Sequence, residues 1–430
     1  MDKNTIIGFV LIAALLIGFS WYTQPSEEDI AKQRMQDSIT ALAKKKAEES
    51  RNAEVQASNQ NVQNNVNADT TAVFYKSLSG KAQNIILKNS KLELTLSTKG
   101  GTVEKAVIKD FKDNKGNKDL TLFDSKDQSL KFMLEGKETN IITSDLYFTP
   151  SNITDSTVTM TAVGSNGRSL VMNYKLGKNY LLHFSLKANG MSGLFSPNYN
   201  KLDIEWTDHC RQQEKGFTFE NRYASLTYHF TDGGTDYISE TSEKVDEKIE
   251  DAIDWVAFKN QFFSAVMIAK DDLGTNSLMT SIPQEKGSGY LKQYGAKVKT
   301  SFDPTGNNST ELEFYYGPND FRLLQKIEKE STFNKDLELH RLVYLGWPLF
   351  RIINRWFTLY VFDWLTGLNI NMGIVLILIT LLLKVITYPL VKKSYMSSAK
   401  MRVLKPKLEE ATKQYNKPED QMQKQQAMMA

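Results

Sequence analysis

The chain has 430 residues, too many for one ordinary compact domain, and its 41% hydrophobic and 24% charged content excludes both a wholly membrane-embedded channel and a chain unfolded throughout. A single cysteine, Cys210, excludes an intramolecular disulfide framework and a cysteine-built zinc cage. The net charge of +3 conceals an asymmetry, because residues 391–430 hold nine Lys/Arg against four Asp/Glu.

Residues 1–25 contain the first apolar run, Ile6 to Tyr22, which no charge interrupts. It is long enough for about 25 Å of helix, adequate to span a bilayer. We expect an anchor retained in the protein rather than a cleaved signal. The segment before the run is nearly uncharged, and Phe19-Ser20-Trp21-Tyr22 stands where a cleavage site needs small residues. Residues 26–72 are first Lys/Glu/Ala-rich and then Asn/Gln-rich, without aromatic residues, which describes a flexible linker.

From Val73 the hydrophobic period becomes two. Leu92, Leu94 and Leu96 alternate with polar partners, as do Val158, Met160 and Ala162, the pattern of half-buried strands. Leu170 to Leu176 and Leu182 to Ala188 alternate on either side of Gly177-Lys178-Asn179, predicting a hairpin with a three-residue loop. Repetition of this theme through Tyr316 predicts a large all-β antiparallel sandwich over 73–335.

An amphipathic helix is expected over 345–368. Its polar residues Arg351, Asn354, Arg355 and Thr358 form one narrow stripe, with Leu349, Phe350, Ile352, Ile353, Trp356, Phe357 and Tyr360 around the rest, a pattern suited to a membrane interface. Residues 371–391 follow as a second spanning helix, containing one charge, Lys384. Lys392, Lys393, Lys400, Arg402, Lys405 and Lys407 come next, so the positive-inside rule places 392–430 in the cytoplasm and the β-domain on the opposite side.

Lys384 is the sharpest functional signal, since an ammonium at mid-membrane costs about 2.5–3.5 kcal/mol and needs protein or water around it. Thr380 and Thr387 share its helix face, so this stripe lines a wet groove on one reading. On the other, Lys384 snorkels toward Lys392, about 12 Å away along the helix. Elsewhere chemistry is sparse. His183, His209, His229 and His340 lack metal-ligand spacing, and His209 and Cys210 cannot face the same side of a strand. Gly100-Gly101 reads as a bend, and no cofactor is expected. The basic tail adjoins a span, so lipid headgroups or ribosomal RNA fit it better than a specific DNA site.

The segment Gly373 to Leu390, with Lys384 and Tyr388-Pro389-Leu390, and the segment Ser397 to Leu408 resemble the YidC membrane protein insertase family. Leu92 to Phe111, Trp255 to Phe263 and Tyr316 to Asp320 resemble that family's periplasmic domain. The resemblance implies a supersandwich similar in fold to sugar mutarotases, an inner-membrane location, and a noncatalytic insertase and chaperone. Its partners would be nascent membrane proteins, the ribosome, membrane lipids and the Sec translocon. It places Lys384, with Thr380 and Thr387, in a hydrophilic groove where the family commonly carries arginine; lysine keeps the charge and loses the planar fork. It also implies further spans beyond Ala430, with 392–430 the start of a cytoplasmic helical hairpin. The alternatives are a membrane-anchored sugar-binding or carbohydrate-processing β-sandwich, and an assembly factor without insertase activity.

Overall fold

The structure, a computed structural model, describes residues 73–114, 116, 118–238, 244–344, 346 and 353–412. The expected anchor 1–25, the linker 26–72, Arg351 and residues 413–430 lie outside the described residues.

Three sheets form the β-domain. The first is β1 (Asn84–Lys88), β2 (Leu92–Ser97), β3 (Val103–Lys112) and β4 (Asp119–Phe123) in sequence order. A six-stranded sheet runs β14 (Val245–Ile249), β17 (Ser277–Pro283), β18 (Tyr290–Ser301), β11 (Lys201–Arg211), β5 (Gln128–Leu134), β6 (Ile141–Ile142). The nine-stranded sheet runs β13 (Thr235–Tyr237), β12 (Ser225–Phe230), β15 (Ile253–Lys259), β16 (Phe263–Ala269), β19 (Thr310–Pro318), β10 (Leu181–Asn189), β9 (Ser169–Leu176), β8 (Thr157–Val163), β7 (Thr149–Ser151). The ladders between them are antiparallel, for example β9–β10 and β11–β18.

The period of two makes each strand present one apolar row, and the rows of the two large sheets close on each other. Trp206 on β11 stacks on Phe258 of β15 at 4.0 Å, and Phe132 on β5 stacks on Phe184 of β10 at 5.2 Å. The four-stranded sheet joins through Phe123 against Tyr316 at 5.3 Å and Phe111 against Phe263 at 5.1 Å. Leu92, Leu94, Leu96, Val158, Met160 and Ala162 are all buried. Each of these Leu, Val and Met side chains contributes about 1.5–3 kcal/mol on full burial. At the bend, Gly101 has φ +70°, and a Cβ there would lie 2.7 Å from Met172 Sδ, so both conformation and space require glycine.

Two local features differ from the pattern. The β9–β10 loop has one residue more than expected, with strand pairing interrupted from Gly177 through Tyr180; Asn179 Oδ1 accepts from the Leu181 amide at 2.9 Å, and Asn89 Nδ2 donates to the carbonyls of Gly177 and Asn179. Strands β15, β16 and most of β19 are buried on both faces rather than one. The cover comes from later in the chain. Asp320 caps α2 (Phe321–Glu330; α1 is the short Phe217–Arg222), its carboxylate accepting from the Leu323 amide at 2.7 Å. Residues 331–343 then cross the outer face of the sheet as a strap. Its own Leu337, Leu339 and Leu342 are buried, Trp255 Nε1 donates to the Leu337 carbonyl at 2.7 Å, and Lys259 Nζ donates to that of Leu342 at 3.1 Å.

Candidate functional site

Beyond the strap, a π-helical turn at Asn354–Thr358 leads into α3 (Leu359–Thr366), and α4 (Met372–Thr412) follows. Asn371 starts α4 by accepting from the Gly373 amide at 2.8 Å. Arg322 of α2 donates through Nε and Nη2 to one oxygen of Asp363, at 3.2 and 3.0 Å, and its guanidinium lies over Tyr360 at 5.1 Å. Arg355 lies over Phe321 at 5.9 Å. The polar side of the Asn354–Thr366 segment is thereby tied to the β-domain. Its other side presents Trp364, 67% exposed, with Ile353, just before the segment, also exposed; Tyr360 is half exposed at the edge where Arg322 covers it.

The helix α4 is the one described helix long and apolar enough to cross a membrane, over Met372–Leu404. It continues through Pro389, which lacks an N–H for the Val385 carbonyl, and past the boundary expected at Val391 to Thr412. Apart from Val375, its apolar residues up to Leu404 are not buried; Leu390 is 71% exposed. Lys384, Thr380 and Thr387 are exposed along one side. Among the described residues no carboxylate pairs with Lys384. The Thr380 hydroxyl donates to the Leu376 carbonyl at 2.8 Å, and that of Thr387 donates to Leu383 at 2.8 Å. Their donors are therefore satisfied within the helix, while their oxygens still accept from outside it. Lys392, Lys393, Lys400 and Arg402 are exposed on the same continuous helix, which also carries Lys405 and Lys407.

The β-domain brings together groups that the sequence had left apart. His183 on β10 lies directly across from Glu313 on β19, with Nδ1 3.0 Å from Oε1, and the same carboxylate oxygen accepts from the amide and hydroxyl of Thr332 at 2.9 and 2.7 Å. Burial raises the Glu313 pKa, but the hydrogen bonds from His183 and Thr332 outweigh it and hold the carboxyl below its ordinary value. An acid held ionised in this way is a poor proton donor and a good fastener for the strap. A second fastener is Lys335, which donates to Asp254 at 2.6 Å. Cys210 is buried on β11, where burial and then the charge of Asp208 push its thiol well above the ordinary range, while His209 faces Tyr290 at 5.7 Å. That pair is not a nucleophile and base. Among the described residues no group of three His, Cys, Asp or Glu side chains is placed to hold a metal ion. Sequence reading missed the His183–Glu313 and Lys335–Asp254 contacts because both depend on sheet register and on a distant segment folding over it.

Comparison with known proteins identifies the two parts of the chain. Residues 84–360 match the YidC periplasmic domain family, and residues 364–430 match the 60Kd inner membrane protein family. The membrane protein insertase YidC of Phocaeicola vulgatus is 49% identical over 432 aligned positions, covering 100% of this chain and 69% of the relative. The chain belongs to the YidC insertase family. The family's insertase from Bacteroides fragilis strain ATCC 25285 is 44% identical with the same coverage. Membership makes the β-sandwich the family's periplasmic domain and joins it to an inner-membrane segment at residue 364. Among solved structures, a galactose mutarotase-like protein from Lactobacillus casei aligns with a TM-score of 0.36 and 10% identity, covering 55% of this chain and 100% of that one, too loose a likeness to carry any inference about chemistry.

Proposed function

We propose that this insertase-family chain acts without covalent chemistry, lowering the barrier to moving a short hydrophilic segment of a nascent membrane protein across the inner membrane. The single observation that carries the proposal is Lys384, the one charge in the apolar stretch Met372–Val391 of α4, whose surface the described residues leave open. In the completed assembly, water in a groove beside Lys384, Thr380 and Thr387 solvates that ammonium and the client's polar segment alike. The client's apolar helix then leaves into lipid, and its burial supplies the driving free energy. With residues 1–25 as a second span, the protein is multi-pass and the β-domain is periplasmic. The exposed cations from Lys392 to Arg402, with Lys405 and Lys407, offer the ribosome, the emerging chain or anionic lipid a basic surface continuous with the span. The Sec translocon is a further partner on this reading.

The test is an insertion assay with a single-span client in cells depleted of their own insertase. Lys384→Arg should retain insertion, whereas Lys384→Ala and Lys384→Glu should lower it several-fold. Equal insertion by all three variants removes Lys384 from the mechanism.

A further inference from the structure

Where the strap meets the Asn354–Thr366 segment, a cavity of about 160 Å³ opens between the β12–β13 edge of the nine-stranded sheet and that segment. Its wall carries Lys259, Arg341 and Arg355 together with the hydroxyl residues Thr227, Thr235 and Tyr344, and among the described residues no carboxylate lines it. Three observations give it the character of an anion site. Lys259 is only 7% exposed, so its charge sits in the protein wall rather than in bulk water. Thr235 Oγ1 is buried and has no hydrogen-bond partner among the described residues. Arg355, held over Phe321, pairs with no carboxylate among the described residues, while Arg341 is paired with Glu338 at 2.7 Å.

The cavity's position selects the anion. Arg355 enters it from the same turn of helix that exposes Ile353 and, about three turns on, Trp364. If that apolar face lies in the outer surface of the bilayer, the cavity stands at headgroup depth, with arginine and hydroxyl donors placed for phosphate oxygens. We propose that this cavity binds the phosphate of an anionic phospholipid headgroup from the periplasmic leaflet, fixing the height and tilt of the β-domain on the membrane. The proposal rests on the interfacial reading of the Asn354–Thr366 segment, and the test separates the two.

The full 430-residue chain is reconstituted in nanodiscs of phosphatidylcholine containing a minority of phosphatidylglycerol, and the lipids it retains are counted by native mass spectrometry. Phosphatidylglycerol should be retained in preference to phosphatidylcholine. Arg355→Gln should lower that preference about fivefold, while Arg355→Lys should keep most of it. Lys297→Gln, which removes the same charge from the six-stranded sheet, should change nothing. Equal loss in Lys297→Gln and Arg355→Gln would reduce the effect to general surface charge and overturn the site. Displacement of the lipid preference by excess glycerol phosphate, with saturable binding of that anion in detergent, would assign the cavity to a soluble phosphate instead. A bimane label on Trp364→Cys, quenched by brominated lipid, reports the interfacial reading by itself. Quenching with unaltered lipid preference in Arg355→Gln sinks only the headgroup site; no quenching sinks both.

Discussion

The nine-stranded sheet and α4 are built from the same apolar residue types and dispose of them in opposite ways. On β15 and β16 every residue is buried, and even the solvent side is roofed by the strap with its buried Leu337, Leu339 and Leu342. On α4, Leu381 and Val385 are 60% and 64% exposed, and Val375 is the buried exception. A strand satisfies none of its own backbone groups and so must pair within a sheet, whose apolar faces are then closed by the opposing sheet and the strap. A helix satisfies its own backbone and can leave its side chains to a surrounding solvent, which for an inner-membrane family is lipid. The difference between the two regions is therefore one of solvent, not of composition.

This contrast is open to measurement, beginning with its largest effect. Trp206→Ala should destabilise the β-domain by about 3–5 kcal/mol, because it empties the seam where Trp206 stacks on Phe258 between the sheets. A denaturant titration followed by near-ultraviolet circular dichroism would check it, and a loss below about 1 kcal/mol would mean that the seam is not the core.

The next effect depends on pH. Burial, followed by the charge of Asp127, lifts the Asp208 carboxyl well above its ordinary range. The native state thus holds this proton more tightly than the unfolded chain does. The resulting stabilisation is complete below the unfolded pKa of about 3.9 and is lost as pH rises toward the folded value. Asp208→Asn should remove that slope, seen as denaturation midpoints that vary less from about pH 4 upward. Glu313 and Asp254 run the other way. Asp254 is raised by burial but lowered more by His229 and Lys335, so both carboxyls sit below their ordinary values. Their contribution is present above the ordinary carboxylate range and lost as pH falls through their depressed values.

Lys335→Met tests whether the strap closes the sheet. Removing the partner of Asp254 should cost about 2 kcal/mol and raise amide exchange in residues 331–343 before it does so in β9 or β10. The smallest effect belongs to α4. Leu381→Ala should leave the β-domain midpoint within about 0.5 kcal/mol of its original value, since that side chain packs on nothing in the domain. A larger change would mean that α4 leans on the sandwich.

Much of the architecture was legible in residue order because its signals are local. Leu92, Leu94 and Leu96 announce a strand through alternation, and the run from Met372 declares a membrane helix by length and apolarity alone. Lys384 was conspicuous for the same reason, as a charge where its neighbours exclude one. What escaped was every feature made by residues far apart in sequence. Nothing near His183 points to Glu313, and nothing near Asp254 points to Lys335, because those encounters exist only once β10 pairs with β19 and the strap crosses β15. The covered faces of β15 and β16 escaped too, since an alternating or continuous apolar run does not say what will lie on top of it.

Order of residues by itself determined which segments are strands, which helix is suited to lipid and where the charge within it stands, because backbone periodicity and transfer free energy act over a few residues at a time. Tertiary structure alone decided that Lys259, Arg341 and Arg355 line one cavity, that Arg322 ties the sandwich to Asp363, and that Glu313 stays ionised beneath the strap. Those outcomes depend on distances between elements, and only packing sets them.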